Sequence, residues 1–250
     1  MEKEQQLQFP HEEVTLPSKG LLYPEDSPLR KGTVEMIYMT AKEEDILTNQ
    51  NFIENGTVID KLLQSLIITP IDYNELLLGD KNAILIAARI LGYGKDYQFE
   101  YLGETITVDL TEIEDKNIDE SIIVEGKNEF HFTLPKTKID VTFKFLNHKD
   151  QKAIDNELKG LQKINKNATA SITTRLKHLI TSINGDYERD TVRKFIDSQL
   201  LAIDARALRK YISDIQPDTD LVYNYEDKDG SFVKIPIPIG LNFFWPDTEV

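Results

Sequence analysis

Residues Tyr38–Tyr97 read YMTAKEEDILTNQNFIENGTVIDKLLQSLIITPIDYNELLLGDKNAILIAARILGYGKDY, and this stretch decides how the rest of the chain is read. Thr40-Ala41-Lys42-Glu43 is a capping box, in which a threonine and the glutamate three residues on satisfy each other's free backbone donors at a helix start. Thr57-Val58-Ile59-Asp60 repeats the arrangement with an aspartate. Val58, Ile59, Leu62, Leu63, Leu66 and Ile67 then recur at the spacing of one buried helix face. A third helix is expected from Gly79-Asp80 through Ile84, Leu85, Ala87, Ala88 and Leu91 to Gly92-Tyr93-Gly94. Its small residues suit close approach by a neighbouring helix. Residues 36–96 are therefore expected to be a helical core.

Working outward, residues 1–35 are broken by Pro10, Pro17, Pro24 and Pro28, which predicts an irregular extended arm ending in a short strand over Thr33–Met39. Leu16, Leu21, Leu22 and Tyr23 would stay wet in a flexible arm. They pack either on the chain's own core or on a neighbouring subunit. After Gly94 the pattern alternates: Tyr97, Phe99 and Tyr101, then Ile106, Val108 and Leu110, predict a hairpin. Further strands are expected at 121–124, 129–134 and 139–145, so that 97–146 forms a small sheet. Helical spacing returns over 147–216. It runs through Ile154, Leu158, Leu161 and Ile164, through Ile172 to Ile183, and in one long helix from Asp190 to Gln216, which Pro217 ends. Residues 217–250 are expected to return to the sheet as a hairpin, 221–225 with 231–235, followed by IGLNFFWP. The fold class is α+β: an extended N-terminal arm, a helical core, a small antiparallel β module built from separated hairpins, and a second helical lobe.

The 250 residues carry a formal charge of −14, which argues against wrapping a nucleic-acid backbone. No run approaches the roughly 20 apolar residues of a membrane-spanning helix, so no membrane partner is expected. With no cysteine there is no disulfide, thiolate nucleophile or zinc ribbon. The start of the chain, MEKEQQLQFPHEE, lacks the pattern of a secretory signal, and an intracellular protein is expected.

Chemistry-bearing patterns are sparse. His11, His131, His148 and His178 show no metal-binding spacing. Asp45, Asp60, Asp72 and Asp80 are explained by helix caps or exposed faces. Gly92-Tyr93-Gly94 lacks the setting of a dinucleotide loop, and Glu226-Asp227-Lys228-Asp229-Gly230 lacks the spacing of a calcium loop. No enzyme is expected, and no catalytic, cofactor or metal residue is assigned. The candidate protein-interaction residues are Leu16, Leu21, Leu22, Tyr23, Phe243, Phe244 and Trp245. Three aromatics in succession on an extended segment cannot all face one way. At least one ring of that C-terminal set is expected to face outward or to bridge two lobes.

The words LPSKG, YP, YMTAKEEDIL, GTVIDKLL and LLLGDKNAILIAARILGYG, with FFWP near the C-terminus, resemble the T4-type bacteriophage baseplate proteins. Those proteins take part in building the central hub of a contractile tail. The resemblance covers nearly the whole chain and implies a hub subunit or an assembly factor that leaves before maturation. It further implies other baseplate, hub or tail proteins as partners, with a homo-oligomer as an additional expectation. The implied location is the virion tail or the host cytoplasm during assembly. The rival from another class is an enzyme with a site that no motif reveals. Relatives of this type often carry two CxxC pairs that look like a zinc ribbon joining two distant hairpins. Here those regions hold Phe99, Tyr101, Tyr223 and Tyr225, so no metal is carried over, and aromatic packing is expected to join the hairpins.

Overall fold

The computed structural model of the chain describes residues 10–164, 170–227 and 229–244. It is an α+β protein that combines its helices with several small antiparallel sheets of two or three strands.

Strand β1 (His11–Thr15) pairs antiparallel with β2 (Thr33–Ile37), Val14 lying opposite Val34. The loop between them is not a loose arm. Leu16, Leu22, Tyr23 and Leu29 are buried, and a 3-10 turn at Pro28–Lys31, capped by Ser27, returns the chain to β2. The prolines punctuate turns here rather than preventing packing. Gly20 makes the fold-back workable: its φ is +74°, and a Cβ there would lie 2.4 Å from the Arg30 carbonyl oxygen.

Helix α1 (Ala41–Leu47) starts with the expected capping box, the Thr40 N–H donating to the Glu43 carboxylate at 3.1 Å. A short α2 (Gln50–Glu54), capped by Asn49, separates it from α3 (Val58–Leu66). Thr57 makes no side-chain cap, so the second capping box is not formed. Helix α4 (Leu78–Tyr93), of 16 residues, buries Ile84, Leu85 and Ala88.

The hairpin β3 (Asp96–Tyr101) and β4 (Glu104–Asp109) turns through Leu102 and Gly103, both with positive φ, as a right-handed strand twist favours. Residues 121–124 are not a strand. Asp119 accepts from the Ser121 N–H and winds Glu120–Ile122 into a 3-10 turn. Strands β5 (Phe130–Thr133) and β6 (Asp140–Phe143) do form, followed by α5 (His148–Ile164) and α6 (Ser171–Leu179). Helix α6 stops at Leu179, because Ile180–Ile183 leaves it as β7 and pairs with β6, completing a sheet in the order β5-β6-β7. The expected single helix from Asp190 to Gln216 is two helices, α7 (Arg189–Ser198) and α8 (Ala202–Ile215). The break falls where the N–H groups of Gln199 and Leu200 both donate to the Phe195 carbonyl. The start of α8 is tied to the sheet by buried Asp204, which accepts from the backbone N–H groups of Lys136 and Thr137 at 2.7 and 3.1 Å.

The C-terminal hairpin β8 (Val222–Glu226) and β9 (Phe232–Pro236) forms as expected, and a 3-10 turn at Leu241–Phe244 follows. It shares no ladder with β3–β4, since each hairpin is a two-stranded sheet of its own. Side chains join them instead. The Tyr101 and Tyr225 rings meet edge to face at 5.1 Å, and the Tyr225 hydroxyl donates to Glu104 at 3.0 Å.

Candidate functional site

The first turn of α4 receives the 18–23 loop on one side and the segment after α8 on the other. Asp80, almost wholly buried, accepts at one carboxylate oxygen from the Ser18 N–H at 2.9 Å. The other oxygen accepts from the Ser18 hydroxyl at 2.7 Å and from the Tyr23 hydroxyl at 2.6 Å. Tyr23 also accepts from the Leu77 N–H at 2.9 Å, filling one of the donors that every helix start leaves free. Asp80 therefore does not cap its own helix: it holds the LPSKGLLY loop. Burial is the dominant influence on this carboxyl and pushes it up to about 6, against the donors from Tyr23 and Ser18 that pull it down. Burial likewise raises Tyr23 well above an ordinary tyrosine, with the Asp80 charge adding to it, so the hydroxyl keeps its proton.

On the adjoining side of the same turn, Gly79 meets the segment after α8. A Cβ at Gly79 would lie 1.9 Å from the Pro217 carbonyl oxygen, and the Asn82 side-chain amide donates to Asp218 at 2.8 Å. The Leu78 N–H donates to the Leu146 carbonyl and the His148 N–H to that of Leu76, stitching the starts of α4 and α5 together.

These contacts place the candidate interaction residues. Leu16, Leu22 and Tyr23 face the chain's own core, and Leu21 is half-buried. The Leu21 carbonyl accepts from the Gly126 N–H and from Arg30. Phe243 and Phe244 are also buried. Both rings can point inward because the segment is a 3-10 turn, in which successive side chains do not leave on opposite faces. Phe243 packs edge to face on Tyr97 at 4.8 Å, whose hydroxyl donates to the Pro238 carbonyl. Trp245 lies outside the described residues.

A second cluster was not legible from spacing. Asp60 accepts from the Tyr73 hydroxyl at 3.0 Å and from Lys81 Nζ at 2.6 Å, and His148 Nε2 lies 3.7 Å from its other oxygen. Burial is the main influence lowering His148 below the ordinary histidine value, which favours the neutral ring at pH 7. His148 Nδ1 is buried without a partner. These four side chains join α3, α4 and α5, but none of them lines either of the two clefts described below. Among the described residues no group of His, Cys, Asp or Glu side chains is arranged to hold a metal ion.

The first cleft, of about 400 Å³, opens between α5, α6 and α8 above the start of α4. Leu146, Ile154, Leu158, Leu176 and Ile212 form its floor, and Lys116, Arg175, Arg209 and Asp218 stand at its rim. The second, of about 700 Å³, lies between the β3–β4 and β8–β9 hairpins and is more polar, with Asp96, Glu112, Glu114 and Asp220 among its walls. Neither cleft includes a residue from the candidate interaction set. Sequence reasoning missed the first cleft because the strip on α5 and the strip on α6 look like a pair that close on each other. The folded pair leaves Ile172 half exposed.

Compared with known proteins, the chain matches no family model, no curated protein and no solved structure. Among the described residues no helix is long and apolar enough to cross a membrane.

Proposed function

We propose that this chain is a protein-binding component of a contractile-tail baseplate that takes part in hub assembly, as a subunit or as a factor that leaves before maturation. The protein-binding part is carried by one observation: the cleft between α5, α6 and α8 has an apolar floor and a charged rim, the composition of a surface that takes up another chain. The baseplate setting is supported by the sequence words LPSKG, YMTAKEEDIL, GTVIDKLL and LLLGDKNAILIAARILGYG alone. An enzyme would be expected to gather titratable groups in a cavity that substrate can reach. The buried cluster around Asp60 sits between helices, away from both clefts, and the titratable groups that line the second cleft are mostly carboxylates, Asp96, Asp109, Glu112, Glu114 and Asp220, with Lys234 as the cation among them.

Two measurements test this reading. Affinity capture of the tagged full chain during phage production is expected to retain hub proteins. Mass spectrometry of purified virions then separates subunit from assembly factor, since a subunit remains in the mature tail. Capture that retains no tail protein overturns the proposal.

A further inference from the structure

The α5–α6–α8 cleft is continuous with an apolar strip that leaves it. Along α5 the strip starts at buried Ile154, passes half-buried Leu158 and Leu161, and ends at Ile164, which is 87% exposed. At a rise of 1.5 Å per residue these ten steps span about 15 Å, close to three helical turns. Ile172 on α6, 50% exposed, borders the cleft on the facing helix.

The charges at the rim run against those of the molecule. In a chain of formal charge −14, three cations and one carboxylate line this cleft. Lys116 is answered by Asp218 at 3.9 Å. Arg175 donates to the neutral Gln151 side chain and Arg209 to the Ala205 carbonyl of its own helix. Neither arginine forms an ion pair with a carboxylate among the described residues.

We propose that this groove docks an amphipathic helix of a partner protein, its apolar face on the Ile154–Ile164 strip and its flanking carboxylates on Arg175 and Arg209. The proposal rests on the protein-binding reading above and names the partner's chemistry. An apolar face set into a groove supplies the contact area, and arginine forks recognise carboxylates in two-pronged fashion. A compact amphiphile such as a fatty acid would fill about 400 Å³ but would leave the exposed end of the strip uncovered. An elongated occupant covers both.

The test uses the full chain and two synthetic helical peptides of equal length with the same leucine face, one flanked by glutamates and one by lysines, read by fluorescence anisotropy. The glutamate peptide is expected to bind at least about ten-fold more tightly than the lysine peptide. R175E/R209E should reverse that order, and R175Q/R209Q should remove the preference. Both arginines are exposed, so each double variant should melt as the parent does. If neither peptide binds, or if binding ignores both double variants, the proposal is overturned. Dodecanoate that binds in an arginine-dependent way while neither peptide does assigns the groove to a small amphiphile, and dimerisation abolished by R175E/R209E without peptide binding assigns it to a second copy. Either result also overturns the proposal. Capture of hub proteins that survives in R175E/R209E would refute this groove alone, whereas peptide binding without any hub capture would refute the baseplate setting alone.

Discussion

At the scale of single residues, Asp80 shows how one buried carboxylate can fix a loop 57 to 62 positions away. Its removal leaves the Ser18 N–H and the Tyr23 hydroxyl buried without an acceptor, and hydrogen bonds to a charged group contribute about 1.5–3 kcal/mol each. Asp80→Ala is therefore expected to lower the unfolding free energy by about 3 kcal/mol or more, measured by urea denaturation at pH 7. The pH dependence has a definite sign. The folded carboxyl, raised to about 6 from 3.8, holds its proton more tightly than the unfolded one. Its contribution to stability is thus fully present below the unfolded value and is lost as pH rises through about 6. Asp80→Asn cannot titrate, so its deficit relative to the parent should be larger at pH 5 than at pH 7. An equal deficit at both values would show that burial does not raise this group.

At the scale of elements, local signals were readable and tertiary ones were not. The Thr40–Glu43 capping box and the β3–β4 and β8–β9 hairpins depend on residues close in sequence, and each appears where the pattern placed it. Strand β7 does not. Leu176, Leu179, Ile180 and Ile183 satisfy helical spacing, but Ile180-Thr181-Ser182-Ile183, three of whose four residues are β-branched, goes to the open edge of β6. Asp80 read as a cap because Ser18 and Tyr23 are invisible to a local window. The segment holding Phe243 and Phe244 is a 3-10 turn where the pattern was read as extended backbone. The rim arginines of the cleft belong to α6 and α8, and their shared groove exists only once the helices pack. Gly79 gives a test at this scale. Helix α4 meets Pro217 with no room for a side chain, so Gly79→Ala must push the two segments apart, despite alanine's better helix propensity. A loss of about 1–3 kcal/mol is expected from denaturant unfolding, and a gain would show that the contact opens freely.

For the whole molecule, the described N-terminal residues are part of the core rather than an appendage. Removing residues 1–31 takes away Leu16, Leu22, Tyr23 and Leu29 together with β1, and exposes Asp80. The truncated chain is expected to lose cooperative thermal unfolding and near-ultraviolet dichroism, and a parent-like melt would contradict this account. The two hairpins provide a gentler probe. A double-mutant cycle of Tyr101→Leu and Tyr225→Leu is expected to give a coupling of about 0.5–1.5 kcal/mol from the edge-to-face pair. Zero coupling would mean that the hairpins stay together through their other contacts, the edge-to-face pair of Phe243 and Tyr97 among them.

The close fit between Gly79 and Pro217 also sets a timetable for biosynthesis. Helix α4 is complete by Tyr93, and its N-terminal anchor, Ser18 and Tyr23, has by then been made. Pro217 follows more than a hundred residues later, a delay of roughly 6–25 s at ordinary rates of translation. Throughout that interval Asp80 has both of its loop partners available, while the notch at Gly79 still lacks the segment that fills it. A ribosome stalled after α6 would have made both partners of Asp80 but not the segment that fills the notch at Gly79.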